Sequence, residues 1–332
     1  MGYDIIGDIH GQGDMLEALL KKMGYRHDGQ CYRHDSRRAI FVGDFIDRGP
    51  QQLKTLGLAR PMIDAGAALA VMGNHELNAI CWHTPDPDRP GDYLRPRTGS
   101  LGEKNRTQHG AFLAEVGEDS PAHADIIRWF KTLPLWLDLP GLRVVHACWH
   151  PRYMNWLKAN GHVDEHGRLL EDRYPAASRE PASREEKDSP EPSVFKAVET
   201  VAKGIEVPLP NGESFRDAQG TVRHRARVRW WDGPGGTYRT STLIGKDKRK
   251  NLPNEKLPAH AWPALPEDKP IFFGHYWLKG SPEVQAPNIA CVDYSAAKGG
   301  DLVAYRWSGE NRLSNENFER VAQTGPDAGK RP

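Results

Sequence analysis

The chain has 332 residues, 38% of them hydrophobic, enough for a substantial core in one large domain or two smaller ones. Lys and Arg total 45 against 44 Asp and Glu, a formal charge of +1 with the 14 histidines neutral. That balance argues against a dedicated nucleic-acid or membrane binder held by net charge, although a local basic groove stays open.

In chain order, residues 3–6 read as a buried strand and 14–23 as a helix with Met15, Leu16, Leu19 and Leu20 on one face. Residues 39–42 read as a second strand, 53–65 as a helix interrupted by Pro61, and 67–72 as a third strand. Strands alternating with helices imply a layered α/β core with a largely parallel first sheet. Residues 142–145 form another apolar run. Residues 175–193 are rich in Pro, Ser and charge and read as an exposed loop or partly disordered insertion. Residues 205–231 alternate around two turn signals, Asn211-Gly212 and Gln219-Gly220, and read as β-hairpins. Residues 271–273, 289–292 and 302–307 suit an antiparallel second sheet, and the chain after about Ala322 reads as a frayed tail.

No apolar stretch approaches the roughly 20 residues that span a bilayer, and Met1 leads straight into a short strand without a leader segment. Cys31, Cys81, Cys148 and Cys291 form no CxxC pair, which suits neither a zinc knuckle nor a disulfide framework. A reducing, cytoplasmic compartment is expected.

Three short motifs share one form, an apolar strand followed by a glycine and a cluster of polar residues: Gly7-Asp8-Ile9-His10-Gly11, Gly43-Asp44-Phe45-Ile46-Asp47-Arg48-Gly49 and Gly73-Asn74-His75-Glu76. Each strand would deliver its loop to the carboxyl edge of the sheet, where open α/β sheets place their sites. Asp8 and His10 lie two apart, so an extended backbone would point both side chains the same way. Carboxylate plus imidazole suits Mn, Fe or Zn better than an all-oxygen Mg or Ca cage. A lone Asp-x-His is usually just a polar loop; three motifs in order are hard to explain that way. His146 and His275 each end an apolar strand in the same manner and join the candidate ligand set.

These motifs resemble those of the calcineurin-like metallophosphoesterases, and specifically the phosphoprotein-phosphatase branch, which carries GDxHG, GDxVDRG and GNHE, then a His after a strand and a late Gly-His. All five occur here in order, from Gly7 to His275, with Ile for Val in the second. The similar symmetrical diadenosine tetraphosphatases more often show GNHD. Many other metallophosphoesterases have Gly-His-x-His, whose second His binds metal; here that place is Trp277.

The resemblance implies a four-layer αββα sandwich as one domain over residues 1–322, with a variable inserted segment at about 151–229 and a tail at 323–332. It implies two divalent ions, Mn ahead of Fe or Zn. Asp8, His10 and Asp44 would hold the first; Asp44, Asn74, His146 and His275 the second. Two such ions roughly 3.5–4 Å apart need a shared anionic ligand, and they lower the pKa of a water between them. Arg48 would bind phosphate oxygens, and His75 would protonate the leaving oxygen with Asp47 orienting it. The implied activity is a phosphomonoesterase of the serine/threonine phosphatase type, acting on a phosphorylated protein or peptide. The alternatives are hydrolysis of a phosphorylated nucleotide such as diadenosine tetraphosphate, and a binding protein that turns nothing over.

The sequence also departs from the family. A second phosphate-binding arginine commonly lies near a Trp-containing segment. Here Arg229-Trp230-Trp231-Asp232-Gly233 resembles it, yet no Arg directly follows the Trp. Arg229 or Arg239 could supply the missing group, or both could be ordinary surface arginines. His146 is followed by Ala147-Cys148-Trp149-His150 in place of small residues; Trp149 could wall the metals, and His150 reads as a loop cap. From Arg223 to Arg229 every odd residue is Arg, either a basic face for an anionic substrate or a solvated face. Nine further histidines, His109 among them, show no paired spacing and read as background.

Overall fold

The computed structural model describes residues 2–216 and 220–323. Two β-sheets stack face to face and helices cover their outer faces, giving the four-layer αββα sandwich expected. The first sheet runs in the order Asp293–Tyr294, Asp301–Trp307, Gly2–Ile6, Arg37–Phe41, Ala68–Ala70, with Phe318–Val321 also paired to Asp301–Trp307. Its last three strands are parallel, in register Ile5 with Ile40 and Ile40 with Leu69.

Side chains alternate across the pleat. Ile5, Ile40 and Val42 enter the core between the sheets with Val144, Phe272, Ala290 and Tyr305. Ile6 and Phe41 point outward to meet Leu16, Leu19 and Leu20 of the helix Gly13–Lys22 and Ala59 and Met62 of Gln52–Asp64. That second helix continues through Pro61.

The second sheet corrects an expectation. Ile271–Phe273 is parallel to both Arg143–Val145 and Ile289–Cys291, and only Trp136–Asp138 runs antiparallel. Residues 274–288 make a connection long enough for a parallel crossover. Asp301–Trp307, expected in this sheet, instead pairs antiparallel with Gly2–Ile6 in the first.

Sequence reading did not identify the helices Gly99–Val116, Pro121–Phe130, Pro151–Ala159 and Val194–Lys203. In the first, Phe112, Leu113 and Val116 bury only its last turns, while polar Asn105 and His109 are buried earlier, so no apolar stripe runs its length. The 175–193 stretch is mostly exposed or half-buried, as expected, but about half of it is helical. It holds the short helices Tyr174–Ser178 and Arg184–Asp188, with Tyr174 and Ala177 buried. Nested hairpin strands follow: Glu206–Pro208 pairs with Arg225–Arg227, and Phe215–Arg216 with Val222–Arg223. The expected Gln219-Gly220 turn and tail lie, except for Gly220 and Gln323, outside the described residues. Among the described residues no helix is long and apolar enough to cross a membrane, and all four cysteines are free and buried.

Candidate metal centre

Loops from the carboxyl ends of Gly2–Ile6, Arg37–Phe41, Ala68–Ala70, Arg143–Val145 and Ile271–Phe273 converge at one edge of the sandwich. They bring together Asp8, His10, Asp44, Asn74, His146 and His275, all more than nine-tenths buried. Asp44 is the hub. Its Oδ2 lies 3.5 Å from His10 Nε2 and its Oδ1 lies 3.4 Å from His146 Nε2. Asn74 Oδ1 is 3.2 Å from that same His146 nitrogen. Ligand atoms of Asp44, His146 and His275 fall within 4.8 Å of one another, as do those of His10, Asp44 and His75. The amide of His275 donates to Asp8 Oδ2 at 3.0 Å.

The loops are tightly wound. His10, Asp44, Asp47, Arg48, His275 and Trp277 all have left-handed backbones, with φ between 48° and 73°. Non-glycine residues adopt this region at a cost that clusters at functional sites. The turn at His10 replaces the extended Asp8–His10 geometry expected from spacing. Two glycines keep the ligands close: a Cβ on Gly274 would lie 2.1 Å from Asp8 Oδ1, and one on Gly73 2.2 Å from Asp44 Oδ1.

Hydrogen bonding fits this cluster to cations. His10 Nδ1 pairs with the Ile46 carbonyl at 3.0 Å and His146 Nδ1 with the Val42 carbonyl at 2.7 Å. A carbonyl only accepts, so both rings carry a proton on Nδ1 and face Asp44 with Nε2. His146 Nε2 faces two oxygens, Asp44 Oδ1 and Asn74 Oδ1; burial lowers the pKa of this imidazole, but Asp44 outweighs it and raises it. Asp8 Oδ1, His10 Nε2 and both ring nitrogens of His275 are buried without partners, a cost that metal ions would remove for Asp8, His10 and one His275 nitrogen. Burial, with His75 nearby, pushes His10 down to about 3 and leaves it a neutral donor. Burial raises Asp44, but the surrounding imidazoles outweigh it and hold this carboxyl well below its ordinary value. The mixed O,N donor set could hold two divalent ions sharing Asp44.

Around the cluster, Glu76 ties two loops together. Its Oε2 accepts from Asp44 N at 2.8 Å and Gly73 N at 3.0 Å, and its Oε1 from Phe45 N at 2.9 Å. Asp293, missed by sequence reading, is buried and accepts from the amides of Trp277 at 2.7 Å and Ser295 at 3.0 Å. His75 Nδ1 is 2.5 Å from Asp47 Oδ2, and its Nε2 is 3.4 Å from Arg48 Nη2. Burial lowers His75, but the Asp44 and Asp47 carboxylates outweigh it and raise its pKa above the ordinary value. His109, read as background, lies 2.6 Å from the other Asp47 oxygen. No local signal reveals that contact, because 62 residues separate the pair.

The two candidate second arginines are engaged elsewhere. Arg229 pairs with Asp232 at 3.1 Å, and Arg239 donates to the Leu252 carbonyl at 2.8 Å. Burial first, and then the charge of Arg227, hold His275 well below its ordinary value; Arg48 acts in the same sense on His10, and Arg227 itself lies 3.7 Å from Glu206. Trp149 does not wall the site. It is 3% exposed and packs inward with the Arg143 guanidinium 5.5 Å from its ring. His150 caps the helix Pro151–Ala159, accepting from Tyr153 N. A second cluster, His83, Asp119 and His123, is already committed. The Asp119 amide donates to His123 Nδ1, leaving the neutral ring's proton on Nε2, and Arg97 forks the Asp119 carboxylate at 2.9 and 3.0 Å.

A sandwich whose strand-end loops pool two carboxylates, an amide and three imidazoles has the build of a metallohydrolase. Residues 1–181 match the calcineurin-like phosphoesterases, and the chain belongs to that family of metal-dependent hydrolases. It is 41% identical over 157 residues to the asymmetrical bis(5'-nucleosyl)-tetraphosphatase PrpE of Bacillus velezensis, a match covering 44% of this chain and 56% of that protein. It is 45% identical over 76 residues to PrpE of Halalkalibacterium halodurans, covering 23% of this chain and 31% of the relative. The matches thus span about a third to about half of those relatives. Among solved structures, a protein serine/threonine phosphatase from Saccharomyces cerevisiae aligns with a TM-score of 0.48 and 15% identity, over 98% of this chain and 82% of that one.

Proposed function

We propose that this chain hydrolyses nucleoside polyphosphates of the bis(5'-nucleosyl) tetraphosphate class on a binuclear metal centre held by Asp8, His10, Asp44, Asn74, His146 and His275. The observation that carries the reading is a cleft of about 1290 Å³ beside His275, lined by Arg223, Arg225, Arg227, Trp277 and Lys298 among others. An elongated polyanion needs cations along its length, and a cleft of this size has room for groups beyond the phosphorus under attack. The similarity to PrpE supports the same substrate class.

Metal ions bound there supply Lewis-acid charge and an activated water. The protein's own groups do the rest. Arg48 holds phosphoryl oxygens and offsets charge gathering on them. His75 delivers a proton to the leaving oxygen from Nε2, while Asp47 accepts from its Nδ1 and orients the ring. Arg227, beside His275, takes the place sought for a second phosphate-binding arginine.

The phosphoprotein reading, preferred from sequence, is now second. GNHE and Trp277 still favour it. Turnover by the Mn-loaded chain of diadenosine tetraphosphate and of phosphoserine peptides separates the two. The dinucleotide should win by at least tenfold in kcat/KM; preference for the peptides would overturn the proposal. The products, ADP alone or AMP with ATP, tell which phosphorus is attacked.

A further inference from the structure

His109 lies in the helix Gly99–Val116, outside every motif, yet it is 3% exposed. Its Nδ1 is 2.6 Å from Asp47 Oδ1, while Asp47 Oδ2 is 2.5 Å from His75 Nδ1. Burial raises the Asp47 carboxyl, but the His109 and His75 imidazoles outweigh it and hold the group well below the carboxylate range. An ionised carboxylate only accepts, so both Nδ1 atoms donate. His109 Nε2 has no hydrogen-bond partner, and its ring packs 4.9 Å from Phe112 and 6.3 Å from Trp82. The only hydrogen bond described for this buried side chain is therefore spent on Asp47.

A carboxylate gripped at one oxygen can still swing about its Cβ–Cγ bond. Gripped at both by rings from separate helices, it keeps one plane, and that plane decides where His75 Nε2 points. We propose that His109 is a positioning residue, whose Nδ1–H locks Asp47 so that Asp47 holds the His75 ring toward the leaving-group oxygen. This rests on His75 acting as the general acid. Loss of the lock slows protonation of the leaving group and leaves phosphate binding by Arg48 in place. The loss therefore falls on kcat, and most heavily on substrates with poor leaving groups.

The test uses the Mn-loaded chain with p-nitrophenyl phosphate, whose leaving group needs little protonation, and phenyl phosphate, which needs more. His109→Leu should lower kcat on phenyl phosphate about tenfold more than on p-nitrophenyl phosphate, with KM within about twofold. His109→Asn, whose amide nitrogen reaches the Nδ1 position, should restore most of the loss. His109→Gln, whose amide sits farther out, should not. His75→Asn should show the full leaving-group dependence, and adding His109→Leu to it should cost little more.

Equal losses on both substrates, or Asn and Gln variants that behave alike, would overturn the role of His109. If His75→Asn shows no dependence on leaving group, the acid reading falls and this inference with it. If His75→Asn shows it and His109→Leu does not, only His109 is misassigned. Should the Leu variant unfold, the Asn and Gln pair decides alone.

Discussion

The guanidinium carbon of Arg48 lies 4.1 Å from the centre of the Trp277 indole ring. The ammonium of Lys298 is 3.7 Å from the same centre. Trp277 thus gathers two cations at the mouth of the cleft and holds Arg48 near His75. A partly desolvated cation–π contact contributes about 1–2 kcal/mol. Trp277→Leu should therefore lower kcat/KM on p-nitrophenyl phosphate about tenfold, and Trp277→Phe by less. Steady-state kinetics of the two variants against wild type reads this directly; equal losses would mean that packing, not the indole face, is what matters.

Asp44 is the one carboxylate within reach of imidazoles from both halves of the cluster. Asp44→Asn removes the shared negative charge, so elemental analysis should find at least one metal equivalent lost. Chelation of the wild-type chain should lower its melting temperature, because a ligand at a hundred times its Kd stabilises by about 2.7 kcal/mol. Added Mn should restore both. A chain that unfolds at the same temperature with and without chelator would count against a buried metal centre.

Arg227 lines the cleft and acts electrostatically on His275. A hydrogen bond to a charged phosphate contributes about 1.5–3 kcal/mol. Arg227→Ala should raise KM for diadenosine tetraphosphate by about tenfold or more, and that for p-nitrophenyl phosphate by less. Arg239→Ala, altering a side chain tied to Leu252, should change neither much.

Far from the site, Glu17 binds two helices together. It accepts from Lys21 at 2.6 Å and Tyr32 at 2.9 Å, with Lys54 of the helix Gln52–Asp64 at 2.7 Å. The bonds to Lys21, Lys54 and Tyr32 lower its pKa from 4.5 to about 2. A carboxyl depressed on folding stabilises the protein above its unfolded pKa and loses that contribution as pH falls toward the folded one. Glu17→Gln should cost on the order of 1 kcal/mol at neutral pH, after allowance for its partial exposure. The gap from wild type should narrow between pH 4.5 and 2. Thermal melts across that range give the answer, and a gap independent of pH would assign the effect to packing.

Several features of this protein were legible in the chain itself because their causes are local. Short apolar runs mark the first sheet's strands, and a glycine followed by Asp, Asn or His marks four of the five strand-end loops; His146 follows Val145 instead. The carboxylates and imidazoles in those loops point to metal coordination before any coordinate is known. What the chain could not disclose arises between distant segments. The parallel second sheet depends on a crossover, and a three-residue apolar run looks the same in either direction. The Nδ1 protons of His10 and His146 are held by the carbonyls of Ile46 and Val42. The pairing of His109 with Asp47 crosses 62 positions, and the shared lining of one cleft by Arg227 and His275 crosses 48, without any repeating pattern. Periodicity records which face a residue turns inward; it carries no record of the polar partner waiting there, so only the tertiary structure decided which side chains surround the candidate metal ligands.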